Sequence, residues 1–134
     1  MSQENVELVR AICCPWEKGD FSSFEWAHPD IELVWADGPT PETHTGVTAM
    51  KESWREAIST FEKFDVKVER YLPLDEERVL VLMHNSGRGK ASGFQLGVLQ
   101  TRGANLFHLR DGKVTKLVLY YDRALALDAV GLSE

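Results

Sequence analysis

The side chains best suited to proton transfer in this sequence lie on segments that otherwise resemble apolar strands. His84 follows the apolar run 79–83, where burial could tune its pKa and make it a base, although such a histidine is more often hydrogen-bonded and structural. His108, Tyr120 and Asp122 are the titratable candidates of the last strand-like segments. His108 could equally lie at the surface, and Asp122 could instead cap the helix after it. These residue types allow general acid or base catalysis.

A second group of residues is suited to contact an apolar ligand. Trp35, Trp54 and Met83 lie on elements expected to line the interior, where they could form an apolar wall or simply pack the core. Asn105 and Tyr120 each place a polar group on an otherwise apolar strand. These five residues are the predicted ligand-contacting set.

Missing motifs exclude several other chemistries. The glycines of segment 87–93 do not match the spacing of a dinucleotide-binding loop, and the segment lacks the Gly-Lys-Ser/Thr ending of a phosphate loop. The sequence contains neither Gly-x-Ser-x-Gly nor His-Glu-x-x-His. Its two cysteines, Cys13 and Cys14, are adjacent and are expected to act as small apolar side chains. We therefore expect no metal and no cofactor.

The composition indicates one globular domain over residues 1–134. The chain has 15 Lys and Arg against 21 Asp and Glu, a net charge of −6, and no basic stripe. This charge balance argues against a nucleic-acid partner or an anionic membrane surface. The longest apolar run, 79–83, is far shorter than the ~20 residues that span a bilayer. The N-terminal segment lacks the pattern of a signal peptide, so the predicted location is the cytoplasm.

Helical patterns precede most of the strand patterns. Apolar residues at helical spacing predict a helix that starts near Ser2 and stops or kinks near Pro15. The aromatic residues of segment 21–26 suggest a short second helix, followed by an extended run over 31–36 and a loop over 37–45. From about Thr48 the sequence has its clearest amphipathic helix.

The second half of the chain reads mainly as strands. Asp111-Gly112 between two strand patterns predicts a type I′ hairpin, whose strands pair antiparallel. The other predictions are an alternating strand around 64–68, a strand in the middle of a sheet at 79–83, a turn at 87–93, a strand from Phe94 to Leu109, a last strand over 114–122 and a terminal helix over 123–130 that stops at Gly131. This order predicts an α+β fold with a mostly antiparallel sheet.

Several short phrases occur in an order that is specific for one fold. They are NVELVR at 5–10, GDF at 19–21, HPDIE at 28–32, LRDGKV at 109–114, YDRA at 121–124 and ALDAVGL at 126–132. Over nearly its whole length the chain resembles the nuclear transport factor 2-like superfamily, in particular its SnoaL-like branch. The resemblance implies a cone-shaped, curved sheet wrapped around N-terminal helices, known as a cystatin-like α+β barrel. It also implies a pocket at the open end and a homodimer formed through the outer sheet face.

The same resemblance implies two possible functions. The first is a cofactor-free polyketide cyclase or isomerase that acts on a small, largely apolar organic molecule, with Asp122, His108 or His84 as acid or base. The second is a non-catalytic ligand-binding or interaction module, favoured by the apolar last strand at 117–119 where relatives often carry an acid or another polar residue. Convergence of Asn105, His108 and Asp122 in a closed pocket would favour catalysis, and divergence would favour binding.

Overall fold

The computed structural model describes residues 2–37, 41–59, 61–89 and 98–132, and in these segments three helices flank one six-stranded sheet. The strands are β1 (Ala27–Trp35), β2 (Glu42–Thr45), β3 (Phe61–Pro73), β4 (Arg78–Gly89), β5 (Val98–Arg110) and β6 (Lys113–Tyr120). Their order across the sheet is β2-β1-β6-β5-β4-β3, and only β1 and β6 pair in parallel. The sheet is curved and does not close, which confirms the predicted α+β class.

Helix α1 (Ser2–Glu17) packs against the concave side of the sheet, which we call the inner face. It runs through Pro15 to Glu17, so the helix does not stop near Pro15. A proline in the last turn removes only one amide donor, and the Pro15 carbonyl accepts from Lys18 N at 3.0 Å and Asp20 N at 2.9 Å. Gly19, with φ +84°, then turns the chain out of the helix.

Two predictions between α1 and the next helix are wrong. Residues 21–24 are irregular and 25–26 form a turn, because the aromatic side chains of this segment fill the interior without forming a helical stripe. The predicted loop over 37–45 contains β2, a short edge strand that pairs antiparallel with β1. The extended run that was predicted to begin at residue 31 begins four residues earlier, at Ala27.

The remaining elements are close to their predicted places. Helix α2 (Val47–Ser59) matches the amphipathic pattern, and β4 lies between β3 and β5, as its apolar run indicated. Asp111 and Gly112 have φ values of +52° and +78°, which confirms the type I′ hairpin. The prediction of a turn at 87–93 is wrong for residues 87–89, because β4 continues to Gly89; the rest of the predicted turn lies in residues 90–97, outside the described segments.

Helix α3 (Arg123–Ala129) covers part of the convex, outer face of the sheet. It ends at Gly131 (φ +77°), where Gly131 N donates to Asp128 O and Leu132 N donates to Leu127 O, the pattern of a Schellman cap. Its apolar side packs on an outer-face cluster formed by Leu80, Leu82, Ala104, Leu106 and Val118. The chain therefore buries much of this face itself. Within the described segments, no helix is long and apolar enough to cross a membrane.

Arg123 anchors α3 to the sheet. This side chain is only 5% exposed, and its Nη2 donates to the Met83 carbonyl at 3.1 Å and to Glu69 Oε1 at 2.6 Å. The hydrogen bond from Arg123 holds the pKa of the Glu69 carboxyl below its ordinary value.

The Glu69–Arg123 pair predicts an acid-sensitive contribution to stability. Because the Glu69 pKa is lower in the folded state than in the unfolded state, the contribution is fully present above about pH 5 and is lost as the pH falls through the folded-state pKa. Urea unfolding of wild type and Glu69→Gln at pH 7 and pH 3 tests this. The stability difference between the two proteins should shrink at pH 3, and an equal difference at both values would contradict it.

Candidate functional site

The pleat of the sheet decides which side chains reach the inner face. Alternate residues of a strand point to opposite faces, so the pairing register shows which side chains share a face. One row of cross-strand neighbours, which we call the middle row, spans all six strands on the inner face: Glu42, Trp35, Leu119, Asn105, Val81 and Tyr71. Most of its members pack against the cluster that α1 and α2 bury.

Aromatic rings fill the part of the interior next to the middle row. Trp16 of α1 lies at the centre of this group, with ring centroids 6.0 Å from Phe107, 5.1 Å from Trp54, 6.3 Å from Phe21 and 6.1 Å from Trp26. We call these five residues the aromatic floor. Phe107 is fully buried and is the inner-face neighbour of Asn105 on β5, so the floor reaches up to the middle row.

Two polar groups face this apolar interior. The indole Nε1 of Trp54 is buried and has no hydrogen-bond partner among the described residues. Asn105, 7% exposed, lies between Val81 and Leu119 in the middle row. A buried donor without an acceptor costs about 1–3 kcal/mol, so the Trp54 indole is a group that an acceptor from a ligand would satisfy.

A second aromatic contact lies at the ends of β1 and β6, which we call the open end. The rings of Trp35 and Tyr121 stack with centroids 6.2 Å apart and planes at 20°. Trp35 Nε1 donates to Ser53 Oγ of α2 at 2.8 Å. The Asp37 carboxylate accepts from Tyr121 N at 2.7 Å and from Asp122 N at 3.0 Å. Burial raises the pKa of the Tyr121 phenol, and the Asp37 charge adds to this effect.

The structure separates the predicted catalytic residues from the inner face. His108 pairs with Arg78 and Lys116 across the outer face, and His84 pairs with Arg102 there. Burial lowers the pKa of His108, and the charges of Lys116 and Arg78 add to the effect, so its imidazole is neutral at pH 7.

Asp122 has the capping role that the sequence analysis left open. Its carboxylate accepts from Ala124 N at 2.9 Å and caps α3. Tyr120 lies on the outer face, packed against the cluster under α3. Asn105, His108 and Asp122 therefore do not converge at one place.

The predicted ligand-contacting residues are divided between the faces. Trp35, Trp54, Met83 and Asn105 lie on the inner side, and Tyr120 lies on the outer side. Tyr121 and Ser53 are not among the residues predicted from the sequence. Tyr121 lies two residues after Leu119 and four after Leu117, so the alternation of side chains along β6 predicts that all three face the same side. This alternation is the sequence signal that could have identified Tyr121.

A polar cavity lies away from this site. It measures about 580 Å³ and opens between the start of α1, the β3–β4 turn and the β5–β6 hairpin, with Glu4, Glu76, Glu77 and Asp111 among its lining residues. In the part of the chain that the structure describes, no three His, Cys, Asp or Glu side chains form a cluster that could hold a metal ion.

Several solved structures share this fold. TerC, crystallised with polyporic acid, has a TM-score of 0.71 and 18% identity, with 95% of this chain and 98% of TerC covered. A proposed SnoaL-like polyketide cyclase from Jannaschia sp. CCS1 has a TM-score of 0.75 and 16% identity, covering 98% and 94%. A protein from Catenulispora acidiphila with a ketosteroid isomerase-like fold, in complex with trimethylamine, has a TM-score of 0.68 and 17% identity, covering 95% and 94%. At these identities the likeness shows the fold alone.

No protein with a curated description matches the chain. Comparison of the sequence with protein families does assign it. Residues 9–117 match the SnoaL-like domain, which confirms the resemblance inferred from the sequence phrases. Because the match spans well over half of the 134 residues, this chain belongs to the SnoaL-like domain family.

Proposed function

We propose that this protein binds a small, largely apolar organic molecule on the inner face, between the aromatic floor and the Trp35–Tyr121 stack. The observation that carries the proposal is the buried Trp54 Nε1, which has no acceptor among the described residues. Apolar walls with a few polar groups are typical of small-molecule sites, because burial supplies affinity and the polar groups fix orientation. Asn105 supplies the second polar group.

The chemistry of the lining predicts the chemistry of the ligand. Trp54 offers one N–H donor, while the Asn105 amide offers both a donor and an acceptor. A ligand with a ring body and a carbonyl or hydroxyl oxygen matches this combination. Two proteins of the same fold support the proposal, since TerC was crystallised with polyporic acid and the Catenulispora protein with trimethylamine.

Trp54→Phe tests the proposal, with polyporic acid as the probe. The variant keeps an aromatic ring but removes the unpaired N–H, so polyporic acid should bind about three- to tenfold more weakly than to wild type. The free protein should lose little stability, because removing an unsatisfied buried donor offsets part of the cost of the smaller ring. Isothermal titration calorimetry and urea unfolding measure the two effects.

Trp26→Phe is the matched control. Its indole Nε1 already donates to the Ser23 carbonyl at 2.9 Å, and its ring belongs to the same aromatic floor. This variant should lose stability, and because phenylalanine keeps a ring in the floor and removes no unpaired donor, its affinity for polyporic acid should fall less than that of Trp54→Phe. Equal binding by Trp54→Phe and wild type, or no binding by wild type at millimolar ligand, would overturn the proposal.

Cofactor-free proton transfer on the bound molecule is the second candidate. It is favoured by the fold shared with the proposed Jannaschia cyclase, and the residues predicted for it are Asp122, His108 and His84. The capping bond of Asp122 and the outer-face positions of both histidines favour binding without chemistry. The test is to substitute each of these three residues singly and to measure turnover of a substrate that the wild type converts. Unchanged turnover in all three variants would remove the catalytic assignment.

The homodimer and the cytoplasmic location stay predictions from the sequence. Since α3 covers part of the outer face, a dimer through this face would have to use the solvent-facing side of α3 itself, where Leu125 is 49% exposed. Sedimentation equilibrium of the whole chain measures the state of assembly.

A further inference from the structure

Polar contacts from three different segments fix the aromatic pair at the open end. Ser53 of α2 accepts from the Trp35 indole, and Asp37, which follows β1, accepts from two consecutive amides after β6. Ala36 N also donates to Leu119 O at 3.0 Å, which extends the contact between these two strand ends. Tyr121 nevertheless remains 43% exposed. A large aromatic side chain is thus held in one orientation while much of its surface stays free.

We propose that the Trp35–Tyr121 stack determines specificity at the inner face, by selecting flat aromatic rings over saturated rings of the same size. Asp37 is the positioning residue that fixes Tyr121 for this role. The inference rests on the proposed ligand site and adds to it the class of molecule that the site accepts.

The geometry of the pair explains the selection. Offset aromatic rings attract one another through their quadrupoles in addition to the area they bury, and a saturated ring has no such quadrupole. A planar ring that continues the stack gains this extra attraction, whereas a puckered ring of equal size gains burial alone. The Tyr121 phenol stays neutral at pH 7, because burial and the Asp37 charge both raise its pKa.

Asp37 is suited to this role because each of its carboxylate oxygens accepts a hydrogen bond from a backbone amide. Tyr121 lies beyond the last residue of β6, so the strand ladder does not hold its backbone. The two hydrogen bonds to Asp37 replace that ladder. An asparagine at this position replaces one of the two accepting oxygens with an NH₂ donor, so one of the two hydrogen bonds seen here is lost.

The experiment compares 1-naphthol with decahydro-1-naphthol, which have the same carbon count and hydroxyl group but differ in planarity. Affinities for wild type and variants are measured by isothermal titration calorimetry. Tyr121→Leu should weaken 1-naphthol binding about three- to tenfold and leave decahydro-1-naphthol binding unchanged. Tyr121→Phe should restore the wild-type preference, since it keeps the ring.

Asp37→Asn tests the positioning role. It should reduce the preference for 1-naphthol in the same direction as Tyr121→Leu, a change that a purely structural role would not produce. Thermal unfolding of each variant verifies that it is folded, and Asp37→Ser is the second variant if Asp37→Asn does not fold.

The outcomes separate this inference from the proposed function. If wild type binds both alcohols and Tyr121→Leu leaves the ratio of affinities unchanged, the specificity role is overturned while the ligand site stands. An unchanged ratio in Asp37→Asn overturns the positioning role alone. If wild type binds polyporic acid but neither alcohol at millimolar concentration, this inference is overturned and the proposed function stands; if wild type binds none of the three, both are overturned.

Discussion

Phe107→Ala is expected to lower the free energy of unfolding by about 3–5 kcal/mol, the largest stability effect predicted here. Phe107 is fully buried, and its ring lies 6.0 Å from that of Trp16 and 6.5 Å from that of Trp26. Alanine removes the transfer free energy of the ring and leaves a cavity at the centre of the aromatic floor. The large rings around it cannot close that cavity without leaving their rotamers.

Urea unfolding followed by tryptophan fluorescence measures the loss. Leu125→Ala is the control, because Leu125 is 49% exposed and its truncation should change stability by less than about 0.5 kcal/mol. Phe107→Leu should fall between the two, since it retains part of the buried volume. A loss below about 1 kcal/mol for Phe107→Ala would show that the floor is loosely packed.

Gly103→Ala is expected to destabilise the protein by about 1–3 kcal/mol, although only one methyl group is added. A Cβ at this position would lie 2.7 Å from the Tyr120 carbonyl oxygen and 3.1 Å from Asn85 Nδ2. The first of these contacts is with backbone, so the end of β6 must move to relieve it. That movement would also displace Tyr121, and the variant should lose affinity for 1-naphthol in addition to stability.

Gly19→Ala is the control for the steric part of this effect. A Cβ at Gly19 meets no atom within 4 Å, so its cost comes only from the left-handed backbone, about 1 kcal/mol. Thermal unfolding of both variants makes the comparison. If Gly103→Ala is as stable as wild type, β5 and the end of β6 are not held as closely as the structure indicates.

Sequence reasoning was most successful where one local signal dominated. The Asp111-Gly112 hairpin follows from turn chemistry, and α2 follows from the period of its apolar face. The segment 21–26 was misread because its aromatic residues pack on Trp16 through tertiary contacts, which helical spacing does not encode. Strand β2 was missed because an edge strand of four mostly exposed residues has no apolar alternation.

The candidate site depended on which face each side chain meets. Trp35, Met83 and Asn105 reach the inner side. His84 and Tyr120 each follow an inward-facing residue, Met83 and Leu119, and therefore face outward. A shift of one residue exchanges the faces of a strand, and the residue pattern alone does not fix that register in a strand buried on both sides. That the Trp54 indole lacks a partner among the described residues is visible only in the folded chain, because no sequence pattern reports the absence of an acceptor.

The parallel contact between β1 and β6 also determines when this protein can fold during synthesis. Residues 27–35 are joined to the rest of the sheet mainly through residues 114–119, so more than half of the chain separates the two partners. On the ribosome, the edge of β1 that pairs with β6 must therefore stay without its partner until residues 113–120 have left the exit tunnel. We expect nascent chains that stop before Lys113 to be recognised by chaperones, and addition of residues 113–120 to complete the sheet in one cooperative step.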